Sequence, residues 1–230
     1  MTVVNTGCRS ILNFHGIGIP PKNTSAAEAR YWVSESQFAN IVSCAISHRK
    51  TGQAVAFTFD DGNFSDIEIA APMLHDSGFQ AEFFVLSSRI GEPNYLDSSQ
   101  IRELQSMGMS IGLHGKDHVD WRKLSEAQLL AETVTARAVV TEILGCPINS
   151  VAIPFGAYNS QVIAWLKAQC FTHIYTSDGG RVIGNPQIQA RTSIRSDMND
   201  STIEAILAGR ESTKSSLRRL VSTFVRQNLL

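Results

Sequence analysis

The sequence predicts an α/β protein whose strands run mostly parallel, and two observations carry that prediction. Short β-rich runs alternate with longer helical patterns from end to end, as when parallel strands are joined by helical crossovers. Hydrophobic residues make up 43% of the 230, enough for one large core without requiring a second domain. No internal repeat, low-complexity tract or Pro/Ser-rich linker interrupts the chain. Residues 1–230 therefore read as a single domain with a helical C-terminal segment from about residue 201.

In chain order, strands are expected at Ser10–His15, Ala54–Phe59, Ala81–Leu86, Met109–His114, Ser150–Phe155 and Thr172–Ser177. Helices are expected between them at about Ser36–His48, Ser65–Ser77, Ser98–Met107, Ser125–Leu144 and Ser160–Gln169. The Ser125 helix opens with "SEAQ", a hydroxyl cap with Gln128 three residues on. It carries Leu129, Ala136, Val140 and Ile143 on one face, which sets it against the sheet. A similar start, "STIE" at Ser201–Glu204, opens the C-terminal helical region. There Leu217, Leu220, Val221, Phe224 and Val225 form an apolar stripe beside Lys214, Arg218, Arg219 and Arg226. That stripe either packs on its own domain or makes peripheral contact with an anionic membrane. Gly16–Ser25 and "GGRVIGNPQIQ" read as loops over one end of the sheet.

A formal net charge of -1 supplies no basic field for nucleic acid. No apolar run approaches bilayer length, and the first residues lack the basic flank and apolar core of a signal peptide. The expectation is a cytoplasmic protein without an integral membrane segment. Cys8, Cys44, Cys146 and Cys170 are scattered, which suits reduced thiols better than a disulfide framework. Oligomeric state is left open.

Chemistry concentrates where "VAFTFDDGNFSD" runs from an apolar strand into adjacent aspartates, Asp60 and Asp61. Two carboxylates side by side repel unless a positive partner sits near them. After a later strand, "IGLHGKDHVDW" offers His114 and His118, whose spacing can bring both imidazoles to one point. Each element alone has an ordinary reading: aspartates after strands often cap helices, and a His pair is often structural. Both, however, fall at carboxyl ends of predicted parallel strands, where barrel and doubly wound proteins place their chemistry. Two histidines and one carboxylate form a three-ligand set for a divalent cation with positions left open.

"TFDDG", "HGKDH" and "IPFGAYN", in that order and at those separations, resemble the polysaccharide deacetylases of carbohydrate esterase family four. The resemblance covers roughly Ile11–Arg195, and "LNFHGIG" is also similar to members from exopolysaccharide gene clusters. It implies a distorted (β/α) barrel, with Asp60 as general base and Asp61, His114 and His118 holding a metal, usually zinc. It also implies that the N–H of Phe155 stabilises the oxyanion; Tyr158, three residues further on, either lines the acyl or sugar pocket or, as an aromatic in a Gly-containing turn, simply packs.

Three departures accompany the resemblance. Many relatives have an arginine where this chain has Ala152, so Asp60 lacks its usual partner; Arg191 is the candidate replacement, with Arg195 behind it. Gly115 stands where many carry a hydroxyl that steadies the second histidine. The C-terminal histidine that serves many relatives as general acid is missing, leaving His15 and His173 as alternatives. Asp178 in "TSDGG" either orients a polar group or is an Asp-Gly turn. The implied activity is metal-dependent removal of N-acetyl groups from an amino sugar in an oligosaccharide, polysaccharide precursor or lipid-linked glycan. Hydrolysis of a small non-sugar amide, formamide or cyclic ureide, and an inactive glycan-binding domain, are the alternatives.

Overall fold

A computed structural model describes residues 7–210, together with Thr223 and Arg226. The apolar stripe of the last segment lies outside the described residues, apart from Arg226 beside it. The chain opens with strand β1 (Cys8–Phe14), then short β2 (Gly16–Ile17), α1 (Ala26–Ala29), β3 (Trp32–Val33) and α2 (Glu35–Lys50). Next come β4 (Ala54–Asp61), a π-turn at Asp66–Ala70 leading into α3 (Ala71–Asp76), β5 (Ala81–Val85), α4 (Ser98–Ser106) and β6 (Ser110–Leu113). A long helix follows: α5 (Glu126–Leu130), a π-turn at Ala131–Thr135, and α6 (Ala136–Leu144). The remainder is β7 (Ser150–Ala152), α7 (Ser160–Ala168), β8 (His173–Thr176), β9 (Arg181–Ile183), β10 (Ile188–Ala190), β11 (Thr192–Ser193) and α8 (Asp200–Leu207).

All six expected strands form, and they pair in parallel in the spatial order β10-β8-β7-β6-β5-β4-β1-β11. Short β10 and β11 are separated only by Arg191, yet β10 pairs with β8 at one edge and β11 with β1 at the other. One continuous segment therefore draws the two edges together, and the fold is a distorted (β/α) barrel. Antiparallel β9 covers β1. The "GGRVIGNPQIQ" region, expected as loop, supplies β9 and most of β10, and β11 follows just after it. Each has only two or three residues, too few for alternation to show. Gly16–Ser25 likewise contributes β2, which pairs with β3.

Side-chain alternation along the strands divides the apolar residues into two clusters. Phe57 and Phe59 of β4 point outward with Leu12, Phe14, Phe83 and Val85 into the core under the helices. Ile11, Phe84, Ala152, Tyr175 and Val182 form a smaller cluster. The Ser125 capping box forms as expected, its hydroxyl accepting from the Gln128 N–H. At α8 the cap is Asn199 rather than Ser201: its side chain accepts from the Thr202 N–H, so the helix starts earlier than "STIE" suggests.

Candidate active site

Asp60 and Asp61 end β4 with different surroundings because alternation and backbone twist separate them. Asp60 is 2% exposed, and the Arg191 fork grips it from the closing segment. Nη1 donates to Oδ1 at 2.7 Å and Nη2 to Oδ2 at 2.8 Å, a bidentate ion pair. Asn13 of β1 adds a third donor, Nδ2 to Oδ2 at 2.9 Å. Arg191 also donates to the Asn13 side-chain Oδ1 at 2.8 Å, and the Thr58 hydroxyl donates to the same oxygen at 3.0 Å. Burial opposes ionisation of Asp60, yet the Arg191 guanidinium, with His114 beyond it, holds the carboxyl well below the usual carboxylate range. Arg191 is thus the partner that Ala152 does not supply. Arg195 is elsewhere: its Nε donates to Asp197 at 2.9 Å.

Asp61 takes a left-handed backbone (φ 78°), and its buried Oδ1 has no hydrogen-bond partner among the described residues. Facing that oxygen are His114 Nε2 at 3.7 Å and His118 Nε2 at 3.6 Å. His114 Nδ1 donates to the Ala152 carbonyl oxygen at 2.9 Å, so Nε2 carries the lone pair. Burial pushes the His118 imidazole down to about 4 against the attraction of Asp61, leaving it neutral at ordinary pH. Ligand atoms of Asp61, His114 and His118 all lie within 4.8 Å of one another. Three converging lone-pair donors, one of them an orphaned buried carboxylate oxygen, fit a divalent cation. The nitrogen and oxygen set suits zinc or a neighbouring transition ion.

The loop carrying the histidines rests on a residue that sequence reasoning missed. Glu132, in the π-turn between α5 and α6, is 4% exposed. Its carboxylate accepts from the Lys116 N–H at 2.9 Å, the Asp117 N–H at 3.0 Å and Trp121 Nε1 at 3.3 Å. A Cβ at Gly115 (φ +102°) would lie 2.8 Å from Glu132 Oε2. Where the resemblance places a steadying hydroxyl, Gly115 instead makes room for a carboxylate that holds the loop. Asn13 was also missed; its signal is a lone amide in an apolar strand. Glu132 has none, because a glutamate on a helix is ordinarily solvated.

Phe155 has φ 58°, is 63% exposed and packs its ring 4.2 Å from that of His118. Its backbone N–H meets no acceptor among the described residues. Of its two readings, Tyr158 takes the packed one and does not line the groove. It is 1% exposed, and its hydroxyl donates to Asp178 Oδ2 at 2.6 Å. Asp178 also accepts from Thr176 at 2.8 Å and pairs with Arg226 at 2.6 Å, so it orients polar groups. His15 lines the groove, while His173 sits at the amino end of β8, bonded to Thr172 and Asn185. Burial lowers the His15 pKa, against the opposing charges of Asp61 and Asp60. Asp66 is fully buried with both oxygens unpartnered among the described residues; burial and the charges of Asp61 and Asp60 push its pKa well up.

These elements border a groove of about 880 Å³, walled in part by Tyr31, Trp32, Tyr95 and Phe155. Four of the five non-glycine residues with positive φ among the described residues lie in or beside it: Asp61, Asn94, His118 and Phe155. Backbone strain therefore concentrates where the polar groups converge.

A barrel of this kind with such a donor cluster defines a class, and comparison with known proteins supplies the family. The model for polysaccharide deacetylase matches residues 47–173. The chain belongs to that family. It is 27% identical over 111 residues to YxkH of Bacillus subtilis, covering 48% of this chain and 40% of that one. It is 29% identical over 114 residues to the peptidoglycan-N-acetylglucosamine deacetylase PgdA of Listeria monocytogenes, covering 49% of this chain and 24% of that one. The chain thus spans well under two thirds of these relatives. Among solved structures, the Streptococcus pyogenes deacetylase PplD in complex with acetate superposes with a TM-score of 0.76 at 19% identity. That match covers 89% of this chain and 99% of PplD, and at such identity the likeness is one of fold.

Proposed function

We propose that this protein removes N-acetyl groups from an amino sugar within a glycan, with a divalent cation, zinc by preference, held by Asp61, His114 and His118. The observation that carries the reading is the pairing of that donor cluster with a separate, ion-paired Asp60 on the same strand end. A binding site alone has no need of the second carboxylate. When bound, the cation would polarise the amide carbonyl and lower the pKa of water from about 15.7 to about 7.

The chain's own residues supply the rest. Asp60, ionised and fixed by Arg191 and Asn13, accepts the proton of the attacking water at a carboxylate oxygen. It is a weak base, so its value lies in position and constant ionisation. The Phe155 N–H donates to the developing oxyanion. The proton that Asp60 accepts is returned to the leaving amine, and His15 in the groove wall is the residue assigned to relay it. The groove's volume and four aromatic walls suit several sugar rings, which favours a glycan over a small amide or cyclic ureide. The relative named for peptidoglycan N-acetylglucosamine supports an amino-sugar substrate.

The test is acetate release from N-acetylated chito-oligosaccharides by protein stripped with chelator and then reloaded with zinc. Release restored by metal supports the reading. No release from any amide, with glycan binding intact, returns the protein to a binding role.

A further inference from the structure

Beyond the catalytic cluster, the groove is lined by two cations, Lys22 and Arg89. Neither has an ion-pair partner among the described residues. The remaining acid in its wall is Glu28, whose carboxylate is occupied as a helix cap, accepting from the Ser25 N–H at 3.2 Å and the Ser25 hydroxyl at 2.9 Å. Asp61 would be neutralised by the metal. Glu28 keeps its charge, so Lys22 and Arg89 face one remaining carboxylate and the lining has net positive charge.

Arg89 is the better placed of the two. It ends the short turn Ser87–Arg89 after β5, and that turn is tied to the histidine loop by Ser87 N–H to the Gly115 oxygen at 3.1 Å and by the Ser88 hydroxyl to the Lys116 oxygen. The guanidinium lies 4.9 Å from the centre of the Tyr95 ring. The contact holds the guanidinium over the ring, and its donors bond to no side chain or carbonyl among the described residues. A planar fork held beside an aromatic wall matches a carboxylate or phosphate in two parallel hydrogen bonds. The main chain of the turn already shapes the loop, so the charge of this side chain is available to a ligand.

We propose that Arg89 forms an anion subsite in the substrate groove, so that the glycan acted on carries a carboxylate or phosphate beside its N-acetylated residue. This rests on the deacetylase reading for its substrate, but not for its binding. Neutral sugar hydroxyls also accept from arginine; the distinguishing property is preference for charge.

The experiment compares zinc-loaded wild type with Arg89→Gln on three probes: neutral chitotetraose, a hyaluronan tetrasaccharide bearing uronates, and UDP-N-acetylglucosamine bearing a diphosphate. KM is read from acetate release. Kd is read by calorimetry in the Asp60→Asn background, which prevents turnover. The expected result is a preference of about tenfold or more for one anionic probe over chitotetraose. The substitution should abolish it and salt should shrink it. Whichever anionic probe is preferred identifies the source of the charge. Equal handling of all three probes by wild type, or uniform weakening of all three by Arg89→Gln, overturns the subsite. A charge preference in Kd with no acetate released from any probe upholds the subsite and removes the deacetylase reading instead.

Discussion

The inner and outer halves of the site treat buried polar atoms in opposite ways. Around Asp60, the buried polar atoms of Asn13, Thr58 and Arg191 all have partners. Around Asp61, His15 Nδ1, Asp61 Oδ1 and both oxygens of Asp66 find none among the described residues. Native proteins pair nearly all such groups, so a cluster of orphans marks a place where something else completes the bonding. The inner half is finished by folding. On the proposed reading the outer half is finished by the metal and substrate, and its strained backbone at Asp61, His118 and Phe155 belongs to the same side.

The largest effect that would sharpen this contrast is on chemistry. Asp60→Asn keeps the outer donors but removes the proton acceptor. Acetate release at matched metal occupancy should fall by about 10²–10⁴-fold while zinc content stays that of wild type. Loss of zinc in this variant would mean that the two halves are not separable. Replacing Arg191 by Met attacks the inner half directly, leaving a buried carboxylate without its cation. Unfolding in urea should show a loss of about 3–5 kcal/mol. Near-normal stability would mean that Asn13 and water suffice.

On the outer side, His114→Ala or His118→Ala should lower bound zinc by elemental analysis while circular dichroism shows an intact barrel. A milder version is Glu132→Gln, which leaves the ligands but weakens the carboxylate under their loop. Zinc affinity measured by chelator competition should drop about 10–100-fold. If only the melting temperature of the metal-free protein changes, Glu132 is a structural brace and nothing more.

The smallest effect is in pH. Asp66 has a raised pKa, so the folded state retains a proton that the unfolded chain releases above about 3.8. Its contribution to stability is therefore present below that value and lost as pH rises toward the folded pKa. In metal-free protein, Asp66→Asn should gain on wild type in melting temperature as pH increases from about 4 to 7. His118, lowered to about 4, has the opposite sign: the unfolded chain binds its proton first, so stability rises with pH between about 4 and 6.5. The corresponding His118→Asn comparison should gain on wild type toward acid.

How much of this was legible follows from the length of each signal. The six main strands and the helices between them announce themselves by apolar runs and caps such as Ser125 and Gln128. The donor trio was readable because "DD" and "HGKDH" pack chemistry into a few residues at strand ends. Arg191 was readable as the charge that Asp60 lacked, although not as the residue that joins two closing strands. The three closing strands, the Glu132 brace and the inward turn of Tyr158 were not readable, for they depend on where distant segments meet. No local pattern records that a carboxylate on one helix will fill the space left by a missing Cβ at Gly115.

The closing segment has a consequence in time. Asp61 at the end of β4 and His114 and His118 just after β6 all precede the closing segment in the chain, whereas Leu12 meets Thr192, and Arg191 meets Asp60, only once the last strands have docked. Contacts so far apart in sequence form late and slowly. On the proposed reading, a chain emerging from the ribosome, or one cut before β10, would carry the metal-binding trio without a fixed base, so hydrolytic competence would arrive only when the closing strands dock and would report that they have done so.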